Sequence, residues 1–265
     1  MYKTEIKTIR TERFEMDYFV FGEGKKQFVM IPGISVEPVS KSAAAVAAAY
    51  DMFGKDYTVY VFDRARKFGD RYSIEEMSRD TAEAMRLAGV KDAYILGASQ
   101  GGMILLTIAR EHPELVNRGI LASTACRIGD AGRAVLERWR DLARTGEPEK
   151  MNHEMFSHLY TPEYIETYKD IFAALEKQGS REEMHKLAVL CDACMNFDMY
   201  DSLGDIRCPM LVIGAENDTV FPAETASREM AEKLGCGLYI YEHYCHAVYD
   251  EAPDYKARIM EFFEQ

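Results

Sequence analysis

Residues 94–106, Tyr94-Ile95-Leu96-Gly97-Ala98-Ser99-Gln100-Gly101-Gly102-Met103-Ile104-Leu105-Leu106, constrain this chain more than any other stretch. An apolar run of strand length stops at small residues and a serine. It restarts with helical spacing through Met103, Ile104, Leu105, Ile108 and Ala109. The pattern predicts a strand, a sharp turn and a helix. A serine at so tight a turn takes a strained backbone conformation, and side chains at positions 97 and 101 would collide with the neighbouring strand and helix. The Ser99 hydroxyl then projects above the sheet, and the amide of Gln100 at the helix start faces any negative oxygen formed beside it.

The rest of the chain supplies the surroundings such a turn needs. Residues 5–10 and 14–21 read as two antiparallel strands, the second closed by Gly22-Glu23-Gly24. Strand and helix patterns then alternate: a strand over 27–31, a helix over 40–53, a strand over 57–62, a helix over 73–88 and the strand 93–96. Ser73 with Glu76 three residues later predicts a capping box. The helix after Ser99 ends near His112-Pro113, and 116–122 gives another strand. This alternation predicts an α/β fold with a parallel sheet wrapped by helices.

From 125 to 205 the pattern is almost wholly helical, and breaks at 146–148, 161–162 and 179–180 divide it into roughly four helices. We read it as a lid inserted between a first core segment, 1–124, and a second, 206–265. The second holds a strand over 210–214, a helix over 222–234, a strand over 238–241 and a terminal helix over 249–263.

A chain of 265 residues can bury one large α/β core. Its net charge of −12 argues against nucleic acid and anionic membrane as partners. No stretch of eighteen apolar residues and no signal-like N-terminus is present, so a cytoplasmic protein is expected. The six cysteines lack the spacing of a disulfide scaffold, and Cys191-x-x-Cys194 has no second pair at zinc-site spacing. Nothing in the sequence requires a metal or organic cofactor. A homodimer is left open.

A serine is a weak nucleophile unless a base takes its proton and an acid orients that base. Downstream of Ser99 an acid loop, Gly214-Ala215-Glu216-Asn217-Asp218-Thr219-Val220-Phe221-Pro222, follows one strand. A histidine segment, His243-Tyr244-Cys245-His246-Ala247-Val248-Tyr249, follows the last. The order Ser, Asp, His together with Gly97-x-Ser99-x-Gly101 resembles the α/β-hydrolase superfamily over nearly the whole chain. Within that resemblance, Gly214-x-x-x-Asp218-x-x-x-Pro222 looks like the acid loop. His246-Ala-Val-Tyr-Asp-Glu-Ala-Pro253 looks like the histidine segment with its acidic-proline turn.

The resemblance implies an α/β-hydrolase fold with Ser99 as nucleophile, His246 as general base and acid, and Asp218 as orienting acid. Glu216 and His243 are the competing acid and base. The implied oxyanion donors are the amides of Gln100 and of Ile34, in Pro32-Gly33-Ile34, where relatives commonly carry His-Gly. Cys245 stands where the family usually has glycine. Asp63-Arg64 resembles a structural Asp-Arg turn.

The expected reaction is acyl transfer from a small carboxylic ester or lactone to water. A thioester, an activated C–C bond, an acceptor alcohol or a non-catalytic binding role are the alternatives. The lid is rich in methionine and aromatic residues, among them Met151, Met155, Phe156 and Tyr160, which suits a small molecule with an apolar part. Gly33, Met155, Phe156 and Tyr160 are the expected substrate contacts. Trp139 is expected in the lid core, and His153, His158 and His185 on lid surfaces.

Overall fold

The computed structural model describes residues 2–265. Strands β1 (Glu5–Arg10) and β2 (Glu15–Phe21) open the chain as an antiparallel pair. They are followed by β3 (Lys26–Ile31), α1 (Ala43–Ala49), β4 (Tyr57–Ala65), α2 (Ile74–Leu87), β5 (Ala93–Ala98), α3 (Gln100–Glu111) and β6 (Val116–Ala122). Five helices intervene before the next strand: α4 (Asp130–Thr145), α5 (Pro148–Leu159), α6 (Pro162–Thr167), α7 (Lys169–Leu175) and α8 (Arg181–Met195). The chain closes with β7 (Met210–Ala215), α9 (Arg228–Leu234), β8 (Gly237–Tyr241), α10 (Val248–Glu251) and α11 (Tyr255–Phe263).

The eight strands lie in the order β1-β2-β4-β3-β5-β6-β7-β8. Strand β2 is antiparallel to both neighbours, and every pair from β4 onward is parallel. Parallel strands are covered on both faces, which is why they read as near-continuous apolar runs. Val29, Ile31, Ile95, Leu121 and Val212 belong to the core shared with α2, α3 and α9. Phe28, Val59, Val61, Leu96, Ile120 and Ile213 belong to the opposite core, with Ala47 of α1 and Tyr255, Ile259 and Phe263 of α11. The winding reverses at β3: α1 leads to β4 on one side of it and α2 leads back to β5 on the other. The crevice of a doubly wound sheet opens at such a reversal, beyond the strands' carboxyl ends. Ser99 follows β5 at that place.

Four local expectations differ from what the chain adopts. The helix expected over 40–53 is regular only from Ala43 to Ala49, because the Asp63 carboxylate draws the amides of Val39 and Ser40 into a tight turn at 2.7 and 3.3 Å. Strand β4 runs on to Ala65, where Met16 of β2 pairs with it past a register shift. The third expected insertion helix is two, α6 and α7, because the backbone leaves helical geometry at Tyr168, whose ring packs 4.6 Å from that of Tyr164. The terminal helix is likewise interrupted at Ala252, as the residue before Pro253 avoids the helical region.

The capping box at α2 forms, with Glu76 N–H donating to Ser73 Oγ at 3.2 Å and Ser73 N–H donating to the Glu76 carboxylate at 2.8 Å. A second, on Ser180 and Glu183, starts α8.

A tight constraint lies beside Ser99. A Cβ on Gly101 would sit 1.9 Å from the carbonyl oxygen of Ile31, and one on Gly97 would sit 2.5 Å from that of Gly101. Neither neighbour is a side chain that could swing away. We therefore expect Gly101→Ala to lower unfolding free energy by about 3 kcal/mol. Urea denaturation followed by circular dichroism checks this, and a loss under about 1 kcal/mol would contradict the packing described.

Candidate active site

Ser99 has φ 53° and ψ −123°, a conformation outside the regions open to side-chain-bearing residues, at a cost of about 1–3 kcal/mol. Its backbone is held from both sides: Ser99 N–H donates to the carbonyl of Ala122 at 2.8 Å, and Gly102 N–H donates to the carbonyl of Ser99 at 2.9 Å. The side chain is left uncommitted, and the Ser99 hydroxyl makes no hydrogen bond among the described residues. Gln100 is the first residue of α3, where an amide has no preceding carbonyl to bond. Gly33 closes against the turn, such that a Cβ added there would lie 2.9 Å from Ser99 Cβ and 3.4 Å from its Oγ.

The sheet brings the acid loop and the histidine segment together at the same edge, because β7 and β8 are adjacent parallel strands ending at Ala215 and Tyr241. Asp218 Oδ1 accepts the amides of Val220 and Phe221, both at 2.8 Å, and Oδ2 lies 2.8 Å from His246 Nδ1. With both carboxylate oxygens accepting, Nδ1 is the donor and Nε2 is left as the acceptor. Side-chain exposure is 2% for His246 and 0% for Asp218, so the contact is shielded from water. The Phe221 ring covers the imidazole at 5.4 Å between centroids.

Glu216 and His243 are joined elsewhere. His243 N–H donates to the Glu216 carboxylate at 2.9 Å, and its side chain is 87% exposed.

A network absent from the sequence reading ties the turn to the helical insertion. The Arg64 guanidinium donates to the carbonyl of Pro32 at 2.7 Å and to Gln100 Oε1 at 3.2 Å. Gln100 Nε2 in turn donates to the carbonyl of Leu190 at 3.0 Å and to Cys194 Sγ at 3.3 Å. Burial pulls the Arg64 pKa down to about 10 and pushes the Cys194 thiol up to about 12. Sequence signals only Asp63-Arg64 as a turn; the reach of Arg64 across β3 to α3 depends on strand order. Asp63 itself caps the residues before α1. No group of three or more metal-ligating side chains occurs among the described residues, and Cys191 and Cys194 are buried free thiols. Cys245 is half-buried, with burial raising its pKa to about 11.

His158, expected on the surface, is three-quarters buried. Its Nδ1 lies 2.7 Å from Thr219 Oγ1, and its ring packs edgewise on buried Trp139. The seam between α5 and the acid loop covers it, which the sequence could not show. His153 and His185 are exposed beside Glu176 and Asp70.

A cavity of about 390 Å³ opens at this edge, lined by Gly33, Ile34, Ala98, Met155, Phe156 and Tyr160 among others. The four residues expected to touch a substrate thus share one space with the residue before Ser99.

Residues 32–253 match the family model of the alpha/beta hydrolase fold. The chain belongs to the α/β-hydrolase family. Proteins assigned as the carbamate hydrolase RutD are among its relatives. That of Rhizobium rhizogenes is 30% identical over 183 residues, which are 68% of this chain and 69% of that protein. That of Azorhizobium caulinodans is 28% identical over 63% of this chain and 66% of its own length. The 3-oxoadipate enol-lactonase 2 of Acinetobacter baylyi is 26% identical over 66% of this chain and 61% of its own length. Among solved α/β-hydrolase structures, the enol-lactonase of Burkholderia xenovorans LB400 superposes with a TM-score of 0.84 at 22% identity, covering 98% of this chain and all of that one. No helix among the described residues is long and apolar enough to cross a membrane.

The contact between Gly33 and Ser99 gives a direct test of the site. Gly33→Ala should preserve the circular dichroism spectrum and slow labelling of Ser99 by a fluorophosphonate at least about tenfold, because the added methyl presses on Ser99 Cβ. Labelling at the native rate would remove Gly33 from the wall of the site.

Proposed function

We propose that this α/β hydrolase is a serine hydrolase that cleaves a small carboxylic ester or lactone through Ser99, His246 and Asp218. The observation that carries the reading is the buried His246–Asp218 contact at 2.8 Å, on the sheet edge where Ser99 is held in a strained turn with its hydroxyl uncommitted. The chemistry follows from those positions. His246 Nε2 takes the proton as Ser99 Oγ attacks the substrate carbonyl carbon, and the new imidazolium is stabilised by Asp218. The carbonyl oxygen becomes an anion facing the amides of Ile34 and Gln100; removing one such donor typically costs about 10²- to 10³-fold in rate. His246 then returns the proton to the departing alkoxide, leaving an acyl-enzyme. Water, deprotonated by the same imidazole, attacks that ester and frees Ser99.

Catalytic hydrogen bonds in a ligand-free site tighten in the substrate complex, which accommodates the unpaired Ser99 hydroxyl. The insertion acts as the lid in this reading, with Met155, Phe156 and Tyr160 over the substrate. The apolar wall formed by Val46, Val61, Leu96 and Leu175 suits a short hydrocarbon acyl or alcohol group. Carbamate cleavage is the second reading, favoured by the relatives that carry that name. It uses the same three residues, with a carbamoyl-enzyme in place of the acyl-enzyme once the alkoxide or aryloxide has departed.

Hydrolysis of p-nitrophenyl acetate and butyrate by the purified protein, beside a panel of lactones and aryl carbamates, tests the assignment. Ser99→Ala and His246→Ala should each lower kcat by up to about 10⁶-fold without unfolding the protein. His243→Ala should leave kcat within about twofold, since that side chain lies in solvent. Native rates in Ser99→Ala would refute the mechanism.

A further inference from the structure

The acidic-proline turn after His246 places Asp250 in the cavity wall. Asp250 Oδ2 accepts a hydrogen bond from the Tyr160 hydroxyl at 2.9 Å, and Asp250 has no cation within ion-pair distance among the described residues. Lys256, whose charge acts on Asp250 without forming an ion pair, sits over the Tyr50 ring at 5.3 Å from its centroid. Asp250 is exposed and reached from the cavity. Burial raises its pKa, and its charge helps to raise those of Tyr50, Tyr249 and Tyr160 around it.

Two further cavity groups are unpaired. Tyr50 is only 7% exposed, lines the cavity, and its hydroxyl has no hydrogen-bond partner among the described residues. Asn152, 2% exposed, donates its amide hydrogens to the carbonyls of Leu175, Glu176 and Gln178, which identifies Oδ1 as its other end. That oxygen is left without a partner on a second residue of the wall. Neither oxygen is sealed inside the protein, so both are open to donors that a ligand brings into the cavity.

We propose that Asp250, with Tyr50, Tyr160 and Asn152, forms a polar subsite that binds a protonated primary amine on the substrate's end remote from the scissile carbonyl. An ammonium offers three donors and one positive charge, matching one carboxylate that has no ion-pair partner and two to three oxygen acceptors. A neutral hydroxyl supplies one donor and leaves the carboxylate uncompensated. The apolar wall between this subsite and Gly33 accommodates the methylene chain joining the two ends.

The proposal rests on Ser99 being the nucleophile at the other end of the cavity, and its test separates the two ideas. Calorimetry on Ser99→Ala compares ethyl 6-aminohexanoate with ethyl heptanoate, which carries a methyl in place of the ammonium, and with ethyl 6-hydroxyhexanoate. The amino ester is expected to bind at least about tenfold more tightly than either. Asp250→Asn in the same background should erase that difference while ethyl heptanoate still binds, which also shows that the variant is folded. Equal affinities, a preference that survives Asp250→Asn, or a hydroxy ester that matches the amino ester would each overturn the ammonium subsite. Hydrolysis of the amino ester by the unsubstituted chain is read separately. Selective binding without turnover would leave the subsite standing and remove the serine mechanism.

Discussion

The close approach of α3 to the end of β3 is the contact on which the site depends. Backbone meets backbone there, Gly101 against the carbonyls of Ile31 and Pro32, with no room for a methyl group. That approach lets the chain leave β5 and enter α3 within one residue, and Ser99 absorbs the change by taking a positive φ. The strain is held because the surrounding hydrogen bonds, from Ser99 to Ala122 and from Gly102 to Ser99, over-determine the turn. The same turn meets Gly33, whose added Cβ would lie 2.9 Å from Ser99 Cβ.

The helical insertion is bound to this turn by polar contacts as well as by apolar burial. Gln100 bonds to Leu190 and Cys194 of α8, and His158 of α5 meets Thr219 beside Asp218. Arg64 closes the arrangement by holding Pro32 and Gln100 at once. One of its nitrogens stays without a partner, so a buried guanidinium is retained at a cost. Its compensation is geometric: it holds the loop at Pro32 and the start of α3 at Gln100 together. Movement of α8 would therefore be felt at Gln100 before any substrate is touched.

The cavity combines two chemistries. Near Gly33 and Ala98 it is apolar and adjoins the strained turn; near Asp250 it is lined by phenols and a carboxylate. The polar end comes from three distant places in the chain: Tyr50 after α1, Asn152 and Tyr160 at α5, and Asp250 in α10. Asp250 belongs to the acidic-proline turn and Tyr160 to the aromatic residues of the insertion, but nothing in the sequence joins them to Tyr50 or Asn152.

Local backbone sterics made the strand, turn and helix around Ser99 legible, because the need for glycine at 97 and 101 is written in the residues themselves. The alternation of apolar strands with amphipathic helices likewise specified a parallel sheet, and with it the sheet edge where functional loops gather. Periodicity could not decide where helices break when the cause lies outside them, as at Tyr168 among its ring neighbours or at Asp63 capping the segment before α1. The choice of Asp218 over Glu216 and of His246 over His243 came from the resemblance, through Pro222 and the acidic-proline turn, and not from periodicity. Those pairs lie within three residues of each other, and only packing determines that one pair is buried and joined while the other meets in solvent. The sequence alone determined the turn, the fold class and the order of the candidate groups, since these follow from short-range geometry. Tertiary structure decided burial, the Arg64–Gln100–Cys194 connection and the composition of the cavity, because each depends on contacts between segments that the chain brings together only by folding.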